Sequence, residues 1–109
     1  MSFSIKTITA FEKEIKALSK KYPSLKPDFA VLVELLEKNP VTGIPLGKNC
    51  FKIRMKISSK TKGKSGGARV ITCVKIVKKT VYLIAIYDKS AYSSVSDAEL
   101  KERLKQIPS

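Results

Sequence analysis

The stretch Cys50-Phe-Lys-Ile-Arg-Met-Lys-Ile57, "CFKIRMKI", decides how the rest of this chain is read. Phe51, Ile53, Met55 and Ile57 alternate with Lys52, Arg54 and Lys56. A period of two is the signature of a β-strand with one buried and one polar face. The apolar set faces a core, and the three cations line up on the other side, roughly 7 Å apart. Any half-exposed strand needs polar residues outside. Here all of them are basic, and like charges in a row repel, so the row asks for an anionic partner.

The charge around this strand is equally one-sided. Between Glu37 and Asp88 there are twelve lysines and arginines and no acid, whereas the flanks carry ten cations and nine acids. A solubility surface mixes the signs. A single-sign block within a net charge of +13 points to a polyanion: nucleic acid, an anionic membrane or an acidic protein. Downstream, "KTKGKSGGAR", residues 60–69, adds Lys60, Lys62, Lys64 and Arg69 on a glycine-rich support. Glycine permits positive φ and close backbone approach to a ligand. The fragment Gly63-Lys64-Ser65 resembles the end of a phosphate-binding loop, but Ser58 stands where the first glycine belongs and a strand, not a helix, follows.

Working outward gives the architecture. Phe3, Ile5 and Ile8 mark a short first strand. Thr9-Ala-Phe-Glu12 reads as a capping box opening a helix with Phe11, Ile15, Leu18 and Tyr22 on one face, ended by Pro23. Ser24 starts a second helix with Leu25, Phe29, Leu32, Val33 and Leu36, stopped at Asn39-Pro40. Residues 40–49, "PVTGIPLGKN", read as a loop. Strands follow at 50–57, 68–77 and 81–88, the last two joined as a hairpin by Lys78-Lys79-Thr80. Ser96-Asp-Ala-Glu99 caps a closing helix with Leu100, Leu104 and Ile107. The order β-α-α-β-β-β-α implies one α+β domain over residues 1–109. Its mostly antiparallel sheet carries two N-terminal helices on one face and adds a short C-terminal helix.

Several functional classes drop out. There is no histidine, the usual general base near neutral pH and the commonest zinc ligand. Cys50 and Cys73 alone build no structural zinc site, so neither metal nor other cofactor is expected. Two cysteines are few for a small secreted domain and suit half-buried core thiols in a reducing cytoplasm. No apolar run is long enough to span a membrane, and the N-terminus lacks the apolar block of a signal peptide.

The run "CFKIRMKI", the segment Gly63–Ile71 "GKSGGARVI", the segment Val81–Ser90 "VYLIAIYDKS" and the acid-capped closing helix resemble the RelE/HigB family across residues 10–107. These are toxins of type II toxin–antitoxin pairs. The resemblance implies helices packed on one face of a small antiparallel sheet. It also implies ribosome-dependent, metal-independent cleavage of messenger RNA, in which the substrate 2′-hydroxyl attacks the adjacent phosphate and translation stops. Basic side chains would steady the charge on phosphorus, and a lysine or tyrosine would handle protons. Position by position, Lys52 and Arg54 match the basic strand residues, Arg69 the arginine opening the next strand, and Lys89 a cation after the last strand. Tyr87 or Tyr92 would take the tyrosine role. Lys56, Lys60, Lys62 and Lys64 would contact RNA. The implied partners are mRNA on the ribosome and a cognate antitoxin. Two other readings share the basic surface: a ParE-like inhibitor of DNA gyrase without nuclease activity, and a non-catalytic RNA-binding module.

Overall fold

The computed structural model describes residues 2–59, 67–90 and 95–108. The chain runs β1 (Ser4–Thr7), α1 (Thr9–Lys21), α2 (Leu25–Lys38), β2 (Ile44–Gly47), β3 (Cys50–Met55), β4 (Ala68–Lys75), β5 (Thr80–Asp88) and α3 (Asp97–Leu104). It is an α+β fold. The strands form one sheet in the order β1-β5-β4-β3-β2. The β2–β3, β3–β4 and β4–β5 pairs are antiparallel, whereas β1 joins β5 in parallel, with Ser4 opposite Thr80 and Thr7 opposite Leu83.

The strand β2 lies where a loop is expected. Lys48 and Asn49 both hold left-handed backbone, at φ 53° and 62°, between the paired residues Gly47 and Cys50. Positive φ at both central residues is what a two-residue type I′ hairpin requires. Lysine seldom occupies such a position, so the turn leaves little trace in the sequence. Pro45 sits on this outermost strand, where a missing N–H is tolerated.

Other local expectations change, and β3 ends at Met55 rather than at 57. Strand β4 ends at Lys75 rather than 77, leaving Ile76 and Val77 exposed at the hairpin tip. The capping box at Thr9 does not form. The N-cap is Ile8, with no side-chain hydrogen bond, and Thr7 Oγ1 donates to Glu12 instead. At Ser96 the side-chain cap does form, the hydroxyl accepting from the Glu99 amide at 3.1 Å, while the Glu99 carboxylate accepts from Arg103.

The core fills the space between sheet and helices. Phe11, Leu25, Leu32 and Leu36 are buried with Ile53, Met55, Val70, Leu83 and Ile86. Strand β5 is buried along its whole length, which explains its unbroken apolar run. Tyr22, at the end of α1, donates its hydroxyl to Asp88. Asp88 follows Tyr87 and so points to the opposite sheet face. The helices α1 and α2 therefore cover one face, and the other carries Lys52, Arg54 and Arg69 beside the buried Cys50, Ile71, Cys73 and Ala85.

Strand β1 pairs with β5 only as far as Leu83, so among the described residues no strand lies against that edge of β5 beyond it. A one-residue register shift between Ile71–Ala85 and Thr72–Leu83 leaves Ile84 as an extra residue there. Two charged side chains satisfy that edge. Arg103 on α3 donates to the Ile84 carbonyl at 3.0 Å, and Glu14 on α1 accepts from the Ile86 amide at 3.2 Å. Arg103 and Glu14 also form a two-pronged ion pair at 2.7 and 2.8 Å. Edge backbone would otherwise be left unpaired or open to another strand. One ion pair thus ties together both helices and the sheet.

Candidate nucleic-acid interface

The pairing register assembles a basic row. Arg54 stands opposite Arg69 across β3 and β4, and Arg69 stands opposite Tyr87 across β4 and β5. Opposed residues in a ladder point to the same face. Lys52 lies one step behind on that face, opposite Ile71, which is itself opposite Ala85. Residues that are distant in the sequence thus meet as a cluster of Lys52, Arg54, Arg69 and Tyr87.

The four differ in access. Arg54 is exposed and Lys52 half-buried, while Arg69 and Tyr87 retain only 8% and 6% of their surface. Arg69 and Tyr87 form the floor and the β3 cations the accessible rim. Arg69 Nη1 donates to the Ala68 carbonyl at 3.2 Å. Burial pushes the Tyr87 phenol above its usual range, outweighing the opposite pull of the neighbouring Arg69 guanidinium. At neutral pH the ring therefore carries its proton, and the hydroxyl oxygen itself is buried.

Backbone conformation at Gly67 brings Arg69 into register. Gly67 has φ +86°, and a Cβ there would lie 2.6 Å from the Met55 carbonyl oxygen. Only glycine lets the chain turn into β4 this close to β3. On its other side the Gly67 carbonyl accepts from the Lys89 amide at 3.1 Å, continuing the ladder beyond Asp88. Lys89 is exposed at this end and, by alternation, shares the face of Tyr87.

Lys56 is not part of the row. It lies beyond the end of β3 and lines a groove of about 360 Å³ with Arg54 and with Asp28, Val31 and Leu35 of α2. Asp28 accepts from the Ser58 amide at 2.8 Å, the Ser58 hydroxyl at 2.6 Å and the Ser24 hydroxyl at 2.8 Å. Burial raises the Asp28 pKa, but these bonds and the Lys56 charge outweigh it and hold the carboxyl below its ordinary value. Lys56 thus has an acid among its neighbours. Lys60, Lys62, Lys64 and Tyr92 lie outside the described residues.

A second cleft, of about 340 Å³, opens at the bare edge of β5 between α1 and α3. It is lined by Tyr87 and Arg103, but also by Glu14, Asp88 and Glu99. Three carboxylates suit a phosphate poorly, so the basic row is the better polyanion surface. Sequence reading missed the Glu14–Arg103 pair and the Asp28 cluster. Their only signal was an acid or arginine in an amphipathic helix, which usually means a solvated face.

No family model and no curated protein matches the sequence. Solved structures do match the fold. The E. coli toxin RelE, as a double arginine-to-alanine mutant in the free state, aligns over 99% of this chain and 100% of its own, with a TM-score of 0.65 at 17% identity. A chain of the intact E. coli RelBE toxin–antitoxin complex aligns over 78% of this chain and 94% of its own, with a TM-score of 0.51 at 20% identity. The architecture described above is the RelE toxin fold.

Proposed function

We propose that this protein is the toxin of a type II toxin–antitoxin pair and an endoribonuclease that cuts messenger RNA on the ribosome. The observation that carries the reading is the cross-strand row Arg54–Arg69–Tyr87 with Lys52 beside it, on a fold shared with RelE.

The chemistry follows from what these groups can do. The RNA 2′-oxygen attacks the adjacent phosphorus, and the bond to the 5′-oxygen of the next nucleotide breaks. Negative charge grows on the non-bridging oxygens. The Arg54 and Arg69 guanidiniums grip those oxygens, Arg69 from the floor and Arg54 from the rim. Tyr87, which keeps its proton, donates it to the departing 5′-oxygen. Lys52 and Lys89 flank the row, and the one that acts as base takes up the 2′-hydroxyl proton in its neutral amine form, becoming an ammonium. Fixed cations aimed at developing charge need no metal ion in this scheme.

The reading places the protein in the cytoplasm with ribosomes. No helix among the described residues is long and apolar enough to cross a membrane. The natural inhibitor is an antitoxin with an acidic segment, drawn by the same +13 charge that draws RNA.

The test is induced expression with genome-wide mapping of mRNA 5′ ends. Cleavage within translated frames, abolished in Arg69→Ala, is the expected result. Intact messages in arrested cells, with DNA breaks and gyrase inhibition, would replace the nuclease reading by the ParE-like one. Healthy growth with folded protein and salt-sensitive RNA binding would leave only a binding module. If six phosphates are neutralised, the log–log salt slope on single-stranded RNA is about −4.

A further inference from the structure

Cys50 and Cys73 face each other across β3 and β4. The Val74 amide donates to the Asn49 carbonyl at 2.9 Å. In an antiparallel ladder, a bond from the residue after one partner to the residue before the other marks a non-hydrogen-bonded pair. Such pairs bring their Cα atoms to about 4.5 Å and their side chains closest together. A disulfide needs Cα atoms roughly 4.4–6.8 Å apart. The two thiols are held where a bridge fits with little backbone movement.

The environment adds chemistry to that geometry. Both residues are buried, at 0% and 1% exposure, rather than half-buried as their sequence suggests. The Cys50 thiol donates to the Lys48 carbonyl at 3.7 Å. Turned the other way, it supports a thiolate on Cys73. That hydrogen bond, opposed by burial and helped by the Lys75 charge, draws Cys73 down to about 7, while Cys50 is pushed up. The pair is therefore asymmetric, with one sulfur ready to react and the other to resolve.

We propose that Cys50 and Cys73 are a redox modification site, closed by a peroxide into a cross-strand disulfide and reopened by a thiol reductant. The Cys73 thiolate attacks one peroxide oxygen, the O–O bond breaks, and hydroxide leaves with the electron pair, giving a sulfenic acid. The Cys50 sulfur then attacks the Cys73 sulfur. The sulfenic hydroxyl leaves as water, taking the Cys50 proton. One peroxide oxidises two thiols to one disulfide. Burial favours a small oxidant, because a peroxide is little larger than water. The bridge would fasten β3 to β4 two residues from Lys52. The inference does not depend on the toxin reading.

The reduced, folded full chain is treated with hydrogen peroxide and examined by intact mass and peptide mapping. The expected product is a monomer lighter by two hydrogens, with a Cys50–Cys73 linked peptide that dithiothreitol dissolves. In Cys50→Ala the resolving sulfur is gone, and dimedone should trap a sulfenic acid on Cys73. Thiols that stay fully alkylatable after later denaturation would overturn the proposal. So would oxygen added to both sulfurs without a link, linkage only between molecules, or a link that forms in urea but not in the folded protein. The wild-type measurement decides even if the alanine variant does not fold.

Discussion

Arg54 and Arg69 stand directly opposite each other in neighbouring strands, two positive charges where ladders more often place an attractive pair. The positions belong to the same phase as Cys50 and Cys73, so they too are a non-hydrogen-bonded pair with side chains at close quarters. Like charges so placed destabilise a sheet by roughly 0.2–1 kcal/mol. Repulsion kept at one spot is relieved when an anion arrives between the charges.

Replacing Arg54 by Gln should therefore leave the free protein as stable as before or slightly more so. Cleavage should fall by about 10²–10³ if Arg54 serves the phosphate as proposed. Urea unfolding together with cleavage assays on programmed ribosomes checks both halves. A variant that loses stability and keeps activity would reverse the assignment. Arg69→Lys retains the charge but not the planar fork, and should recover little of the activity lost in Arg69→Ala.

Tyr87 gives a pH signature. Its folded-state pKa is raised above the ordinary 10.0, burial outweighing Arg69. The folded state then holds the phenol proton more tightly than the unfolded chain does. The resulting stability is complete below about pH 10 and is lost as pH climbs through the folded pKa. Wild type minus Tyr87→Phe, followed by unfolding from pH 8 to 11, should show a stability difference that shrinks at the alkaline end. In the cleavage reaction Tyr87→Phe removes the proposed proton donor, and the rate should drop by roughly 10²–10⁴.

The Glu14–Arg103 pair should matter more than an ordinary surface bridge. Arg103 retains 13% side-chain exposure, and both partners also serve the bare backbone of β5. Glu14→Ala leaves the Ile86 amide and a half-buried guanidinium short of acceptors, at a cost of about 1–3 kcal/mol. Arg103→Ala should cost a similar amount. The double variant should fall well short of the sum, since the two residues act on one edge. A chemical-denaturation double-mutant cycle reads this directly. Strict additivity would mean the pair is not coupled.

Gly67 admits no side chain. Left-handed backbone and a Cβ lying 2.6 Å from the Met55 oxygen make Gly67→Ala strained on both counts. The expected loss is on the order of 1–3 kcal/mol, with Arg69 displaced. A thermal midpoint equal to wild type would show that the turn into β4 can relax.

Much of this fold is legible in the amino-acid sequence. The alternation of Phe51, Ile53 and Met55 with Lys52 and Arg54 sorts two faces by local geometry alone, because successive strand residues point opposite ways. The apolar spacing in α1 and α2 and the Ser96 cap are local in the same sense. They settled the α+β class and put cations on a sheet face.

Which cations meet was a different matter. That Arg54 faces Arg69, that Arg69 faces Tyr87 and that Cys50 faces Cys73 depends on register between separated strands. The parallel docking of β1 on β5 and the capping of Ile84 and Ile86 by two helices are likewise products of packing. The amino-acid pattern specifies what each segment prefers within a few residues. Pairing partners are chosen by the burial and backbone hydrogen bonding of the whole sheet, so only the folded chain determines which side chains become neighbours.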